Sequence, residues 1–152
     1  MRWNDESGVS ALIRGERDST GFVETSITFI GVDPEEALIL RCYDRGRLDI
    51  GVISPNLPPP WPEGGYDVLY LTSNVSPEEE EFDFWSSGPS RGREAIMFSS
   101  DPERLLDDMD GSGTVEFFVY GVTRRSVFLV FDIRGVWETP AWKNLEHCED
   151  AE

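Results

Sequence analysis

The chain has 152 residues, with thirty acidic against thirteen basic side chains and a formal net charge of −17. That length fits one ordinary domain, residues 1–152, in which 3–148 form the core and 149–152 an acidic tail. A field of this sign repels phosphates and anionic lipid, which excludes nucleic acid and membrane as partners, and no apolar run reaches the roughly 20 residues of a membrane helix.

Lys143 is the sole lysine, and the acidity has three readings. It makes a solubility surface, it steers the chain toward a basic protein, or it mimics nucleic acid to block a DNA- or RNA-binding protein. The opening residues, MRWNDESGVS, lack the basic stretch and apolar core of a secretion signal. The expectation is a cytoplasmic protein as written, or a periplasmic one if a leader has been removed.

Along the chain, apolar and polar residues alternate with the period of strands. Val23, Thr25, Ile27 and Phe29 share one face, then Leu38, Leu40 and Cys42, then Leu48, Ile50 and Val52. Tyr43-Asp44-Arg45-Gly46 between the last two predicts a tight hairpin, with Gly46 where φ must be positive. The segment SPNLPPPWPEGG, 54–65, is proline-rich and predicts an extended loop. Tyr66, Val68 and Tyr70 alternate with Leu69 and Leu71, as in a strand covered on both faces.

After SNVSPEEEE, Phe82 and Phe84 alternate with Asp83 and Trp85; a turn over 88–93 and a short strand, EAIMFS, follow. The period then changes. In SSDPERLLDDM, Ser100 or Asp101 caps a short helix, Pro102 occupies its first turn, and Leu105, Leu106 and Met109 form its apolar face. Two more strands follow, on Val115, Phe117 and Val119 and on Val127, Leu129, Phe131 and Ile133, with Gly121 and Arg124-Arg125 at the turn between them. A last helical turn is expected around Trp142 and Leu145. Seven or eight short strands with one or two helices predict a mainly β fold, an antiparallel sandwich or flattened barrel.

The order of motifs resembles the TagO/VasI-like proteins found beside type VI secretion systems, and phage-encoded relatives with the same β-sandwich. The resemblance runs from Trp3 through Asp18-Ser19, Leu38/Arg41/Cys42, Trp85 and Phe98 to Phe131/Asp132/Gly135, and spans about residues 3 to 148. It implies a small accessory domain of an envelope machine, with no chemistry to carry over. Two features depart from the family pattern: members carry an export signal, and most are far less acidic.

Candidate sites are few. DMDGSGTVE, Asp108 to Glu116, is similar to the first half of a calcium loop, with Asp108, Asp110, Ser112 and Glu116 as oxygen donors and Gly113 at the sharp turn. The bidentate Glu expected at the twelfth position is Val119, so a plain helix-to-strand turn is the competing reading and no metal is expected. Cys42 and Cys148 either stay as two thiols or form a disulfide, which would stabilise the fold by about 4 kcal/mol in an oxidising compartment. His147 beside Cys148 is the one imaginable base–nucleophile pair, and sequence neighbours seldom aim at each other.

Glu78, Glu79, Glu80 and Glu81 are a charge run, either a solvated loop or a contact for a basic partner. Aromatic strand residues are expected in the core, while Trp61, set among prolines in a loop, is the aromatic expected at the surface, where it either contacts a partner or covers the sandwich edge. No nucleophile–base–metal constellation, phosphate-binding loop or nucleotide fingerprint appears. The expectation is therefore a non-enzymatic domain without cofactor, acting through protein–protein contacts. The alternative is an acidic inhibitor, of phage origin, that occupies a basic host or defence protein.

Overall fold

A computed structural model describes residues 2–4, 10–17, 23–31, 33, 35–43, 46–75, 82–88, 95–123 and 126–148. The expected mainly β, antiparallel fold is present, as a single sheet curled into a half-barrel with two short α-helices. There are ten strands among the described residues where seven or eight were expected. They are β1 (Arg2–Asn4), β2 (Ser10–Arg17), β3 (Val23–Ile30), β4 (Ala37–Tyr43), β5 (Arg47–Ser54), β6 (Gly65–Leu71), β7 (Asp83–Ser87), β8 (Ala95–Phe98), β9 (Thr114–Tyr120) and β10 (Ser126–Asp132). The additional two are β1, whose three residues are too few to show a period, and β2, in which Ala11-Leu12-Ile13 is apolar on both faces and Arg14-Gly15-Glu16 carries no strand signal.

The sheet order is β1-β2-β3-β4-β5-β8-β7-β6-β9-β10, with every pair antiparallel. The first five strands follow one another as hairpins. The loop over 55–64 then carries the chain past two positions, and β6, β7 and β8 run back toward β5 in a Greek-key step. Among the described residues, Ser86↔Phe98 and Ser87↔Met97 pair β7 with β8, and Gly88 just beyond β7 donates its N–H to the Ile96 carbonyl at 2.9 Å. In the hairpin between β4 and β5, Tyr43 pairs with Arg47 and Gly46 has φ 117°, the conformation expected of it.

Helix α1 (Pro102–Met109) starts where predicted: the Asp101 carboxylate accepts from the Arg104 N–H at 3.3 Å, and Leu105, Leu106 and Met109 are buried. A 3-10 turn (Val136–Glu138) leads into α2 (Pro140–Glu146), capped by Thr139 and burying Trp142 and Leu145. α2 packs on β3 and β4 and α1 on β5, so the helices fill the concave side of the curl. The aromatic centre of the core is a chain of edge-on contacts, Trp85 to Phe117 at 5.5 Å and Phe117 to Phe131 at 6.1 Å between ring centres. Cys42, on the concave face of β4, is joined to Cys148 just beyond α2 by a disulfide. No helix among the described residues is long and apolar enough to cross a membrane.

The sheet curls around one core, so its concave face is covered and its convex face meets solvent. The expectation that β6 is covered on both sides needs correction: Tyr66, Val68 and Tyr70 are buried, while Leu69 and Leu71 lie half-exposed on the convex side.

Candidate functional site

The convex face differs between its two halves. On β4 and β5 its hairpin end is polar and self-neutralised, around Arg41, Tyr43, Arg47 and Asp49. The Arg41 guanidinium lies 4.0 Å from the Tyr43 ring centre and 3.7 Å from the Asp49 carboxylate, and the Tyr43 hydroxyl donates to Asp49 at 2.6 Å. On β7, β6, β9 and β10 the same face is aromatic. Phe84, Asp67 and Tyr120 form one cross-strand row, while Leu69, Phe118 and Phe128 form the next. Phe118 and Phe128 sit 4.8 Å apart, and Phe82 stands edge-on to Tyr120 at 5.2 Å.

Phe82, Phe84 and Phe128 are 50 %, 43 % and 51 % exposed, which corrects the expectation that the strand aromatics are core. The cause is the period of two. In FDFW, Trp85 takes the concave side, so Phe82 and Phe84 must take the other, and no second layer covers them.

The proline-rich loop shapes one end of this face. Val122 donates its N–H to the Pro59 carbonyl at 3.1 Å, and a Cβ on Gly121 would stand 2.3 Å from that oxygen, so only glycine lets the loop lie against the end of β9. Trp61 bonds to Gly65 through its N–H at 2.8 Å and accepts from Gly64 at 2.8 Å, while Ser87 holds the Gly64 carbonyl by its N–H and its hydroxyl. These bonds fix the Trp61 backbone beside the groove that its indole lines. Trp61, Asp67, Phe82, Tyr120 and Gly121 line an open groove of about 380 Å³, and Trp61, Glu63, Asp67 and Phe84 line an adjoining one of about 350 Å³.

Trp61 is thus half-buried rather than free, and its indole nitrogen is buried without a hydrogen-bond partner. Asp67, shared by both grooves, pairs with no cation among the described residues. Asp67, Phe82, Phe84 and Tyr120 were not singled out from sequence. The usable signal was aromatic residues on both phases of FDFW.

The calcium-like loop is tied up internally. The Asp108 carboxylate accepts the Tyr70 hydroxyl at 2.6 Å, and its carbonyl accepts from Thr72 and Asn74. Asn74 also donates to the Asp110 carbonyl at 2.6 Å. The Ser112 hydroxyl, fully buried, donates to Thr114 and accepts from the Ser73 N–H. Glu116 lies up β9 on the convex face, paired across to Leu71 and Val130. No group of three His, Cys, Asp or Glu that could hold a metal occurs among the described residues. The loop therefore reads as a polar clasp between β6 and α1, and millimolar calcium is expected to leave the melting temperature unchanged in a thermal titration.

Asp110 does meet another carboxylate. Burial raises the pKa of Glu146, and its hydrogen bond with Asp110 and their like charges raise it further, while Lys143 draws it part of the way back. A carboxyl with a raised folded-state pKa contributes stability below its unfolded pKa and loses it as pH rises through the folded value. Glu146→Gln should therefore melt at the parent temperature in acid and a little above it at neutral pH. Parallel melting curves across that range check this; an equal difference at every pH would contradict it.

The disulfide bonds the Cys148 sulfur, which removes the thiol that a His147-activated nucleophile would need. Glu78, Glu79, Glu80 and Glu81 lie outside the described residues, as do Asp18, Ser19, Arg124 and Arg125. Comparison with family models, curated proteins and solved structures finds no match to this chain. Leu38, Cys42, Trp85 and Phe131 are all buried in the core.

Proposed function

We propose that this chain is a non-enzymatic interaction domain that docks a protein partner on the convex aromatic face of β6, β7, β9 and β10. The observation that carries the reading is that Phe82, Phe84 and Phe128, all on the convex face, are half-exposed on a chain of net charge −17. A soluble domain seldom leaves contiguous aromatic surface to water unless something covers it, and large aromatics dominate interface energetics. Asp67, Glu63 and Glu116 lie among or beside those rings, so the complementary surface is apolar with basic groups. Two copies of this chain would bring −17 against −17, which opposes self-association.

The accessory role is that of a TagO/VasI-like domain, supported by the order of motifs along the chain. The Cys42–Cys148 bond supports an oxidising compartment such as the periplasm.

Random peptides panned against the oxidised chain test the reading. Enriched peptides should combine basic with apolar residues, persist in high salt, and bind the Phe84→Ser/Phe128→Ser variant about tenfold more weakly or worse. That variant should melt close to the parent, because both side chains face solvent. Equal binding to parent and variant would refute the docking face. Binding to any basic peptide, lost as salt rises, would instead favour an acidic blocker of a nucleic-acid-binding protein.

A further inference from the structure

We infer that the paired grooves around Asp67 are a guanidinium receptor, taking an arginine side chain of the protein partner between Trp61, Phe82, Phe84 and Tyr120. This deepens, and rests on, the docking-face reading above. Across β7, β6 and β9, Phe84, Asp67 and Tyr120 are direct register neighbours, so the carboxylate emerges between two aromatic flanks at strand spacing. Phe82 stands against Tyr120 at 5.2 Å, and Trp61, fixed by the proline-rich loop, borders both grooves. Glu63 adds a second carboxylate on the adjoining rim.

The chemistry of this wall selects for a cation. Ring faces carry negative quadrupole potential and Asp67 a full charge, so an anion meets repulsion from both and a cation attraction from both. A neutral apolar segment laid here would strip water from Asp67 and leave it unpaired, which is costly. Among cations, guanidinium fits best: it is planar, stacks on rings, pairs two-pronged with a carboxylate, and is more weakly hydrated than an ammonium. The same sheet already holds a filled arrangement of this kind. Arg41 lies over the Tyr43 ring and against Asp49, to which the Tyr43 hydroxyl also donates. At Asp67 the rings and carboxylate recur, and no described cation pairs with them.

The test titrates N-acetylarginine amide, N-acetyllysine amide and tetramethylammonium into the oxidised full chain and follows the Trp61 indole N–H by NMR. The arginine probe should move that resonance saturably, and the lysine and tetramethylammonium probes about threefold more weakly or worse. Asp67→Asn is nearly isosteric and removes no partner found among the described residues, so it should keep the parent melting temperature and weaken the arginine probe by about tenfold. Equal or tighter binding of either other cation, unchanged binding to Asp67→Asn, or a Trp61 resonance that does not respond would each overturn the assignment. Panned peptides that need Phe84 and Phe128 but carry no arginine and ignore Asp67→Asn would sink the receptor and leave the docking face standing. Sedimentation should show a monomer; self-association abolished by Asp67→Asn would replace the partner with a second copy.

Discussion

Reduction of the Cys42–Cys148 bond is expected to be the most damaging single chemical change this fold can suffer. The bond closes a loop of 106 residues, and restoring that freedom to the unfolded chain costs about 4.7 kcal/mol of stability on the chain-entropy account. Local structure adds to the effect. Cys148 follows α2, a helix of seven residues, too short to persist alone and held on β3 and β4 by Trp142 and Leu145. For a domain of this size the loss corresponds to a melting temperature lower by about 10–20 °C. Thermal unfolding with and without reductant, and of the Cys42→Ala/Cys148→Ala variant, measures it. The urea m-value should rise in parallel, because the unlinked chain exposes more surface on unfolding. Melting within about 2 °C of the oxidised protein would show that burial alone holds α2 in place.

Phe117→Ala is expected to come close to that effect, costing about 3–5 kcal/mol. Phe117 is fully buried near the middle of β9 and touches Trp85 on one side and Phe131 on the other, edge-on. Removing the ring opens a cavity under three neighbouring strands and deletes both aromatic contacts, each worth about 0.5–1.5 kcal/mol beyond area. Phe118→Ala, one residue on, is the control. Its ring is on the convex face against Phe128, so it should cost about 1 kcal/mol, an ordinary partly exposed substitution. Chemical denaturation of the two variants separates them; equal losses would contradict the assignment of faces.

These contrasts show why the candidate site was less legible than the core. Each strand's two faces could be separated by counting in twos, which located Leu38, Leu40 and Cys42 or Val115, Phe117 and Val119 without further help. Which face met a second layer could not be counted. Phe82 and Phe84 look as apolar as Trp85, and only the curl of one sheet, with both helices on its concave side, leaves them in water. Asp67 was unremarkable beside Tyr66 and Val68. It matters because register places Phe84 and Tyr120 beside it from strands about 17 and 53 residues away. In the calcium-like loop, where spacing left ligand set and plain turn as competing readings, Tyr70, Thr72, Ser73 and Asn74 reach Asp108, Asp110 and Ser112 from a distant segment, which spacing does not contain.

By itself the sequence determined the local and compositional features: strand period, a short helix capped at Ser100 or Asp101, the turn glycine at Gly46 and the acidic charge. Those depend on neighbours within a few residues and on summed charge, which a linear reading contains. Tertiary structure alone decided the strand order 5-8-7-6-9, the joining of Cys42 to Cys148, and the meeting of Trp61, Asp67, Phe84 and Tyr120. Each of these is a contact between distant segments, set by how a twisted sheet closes around its helices, and no short window of residues encodes that closure.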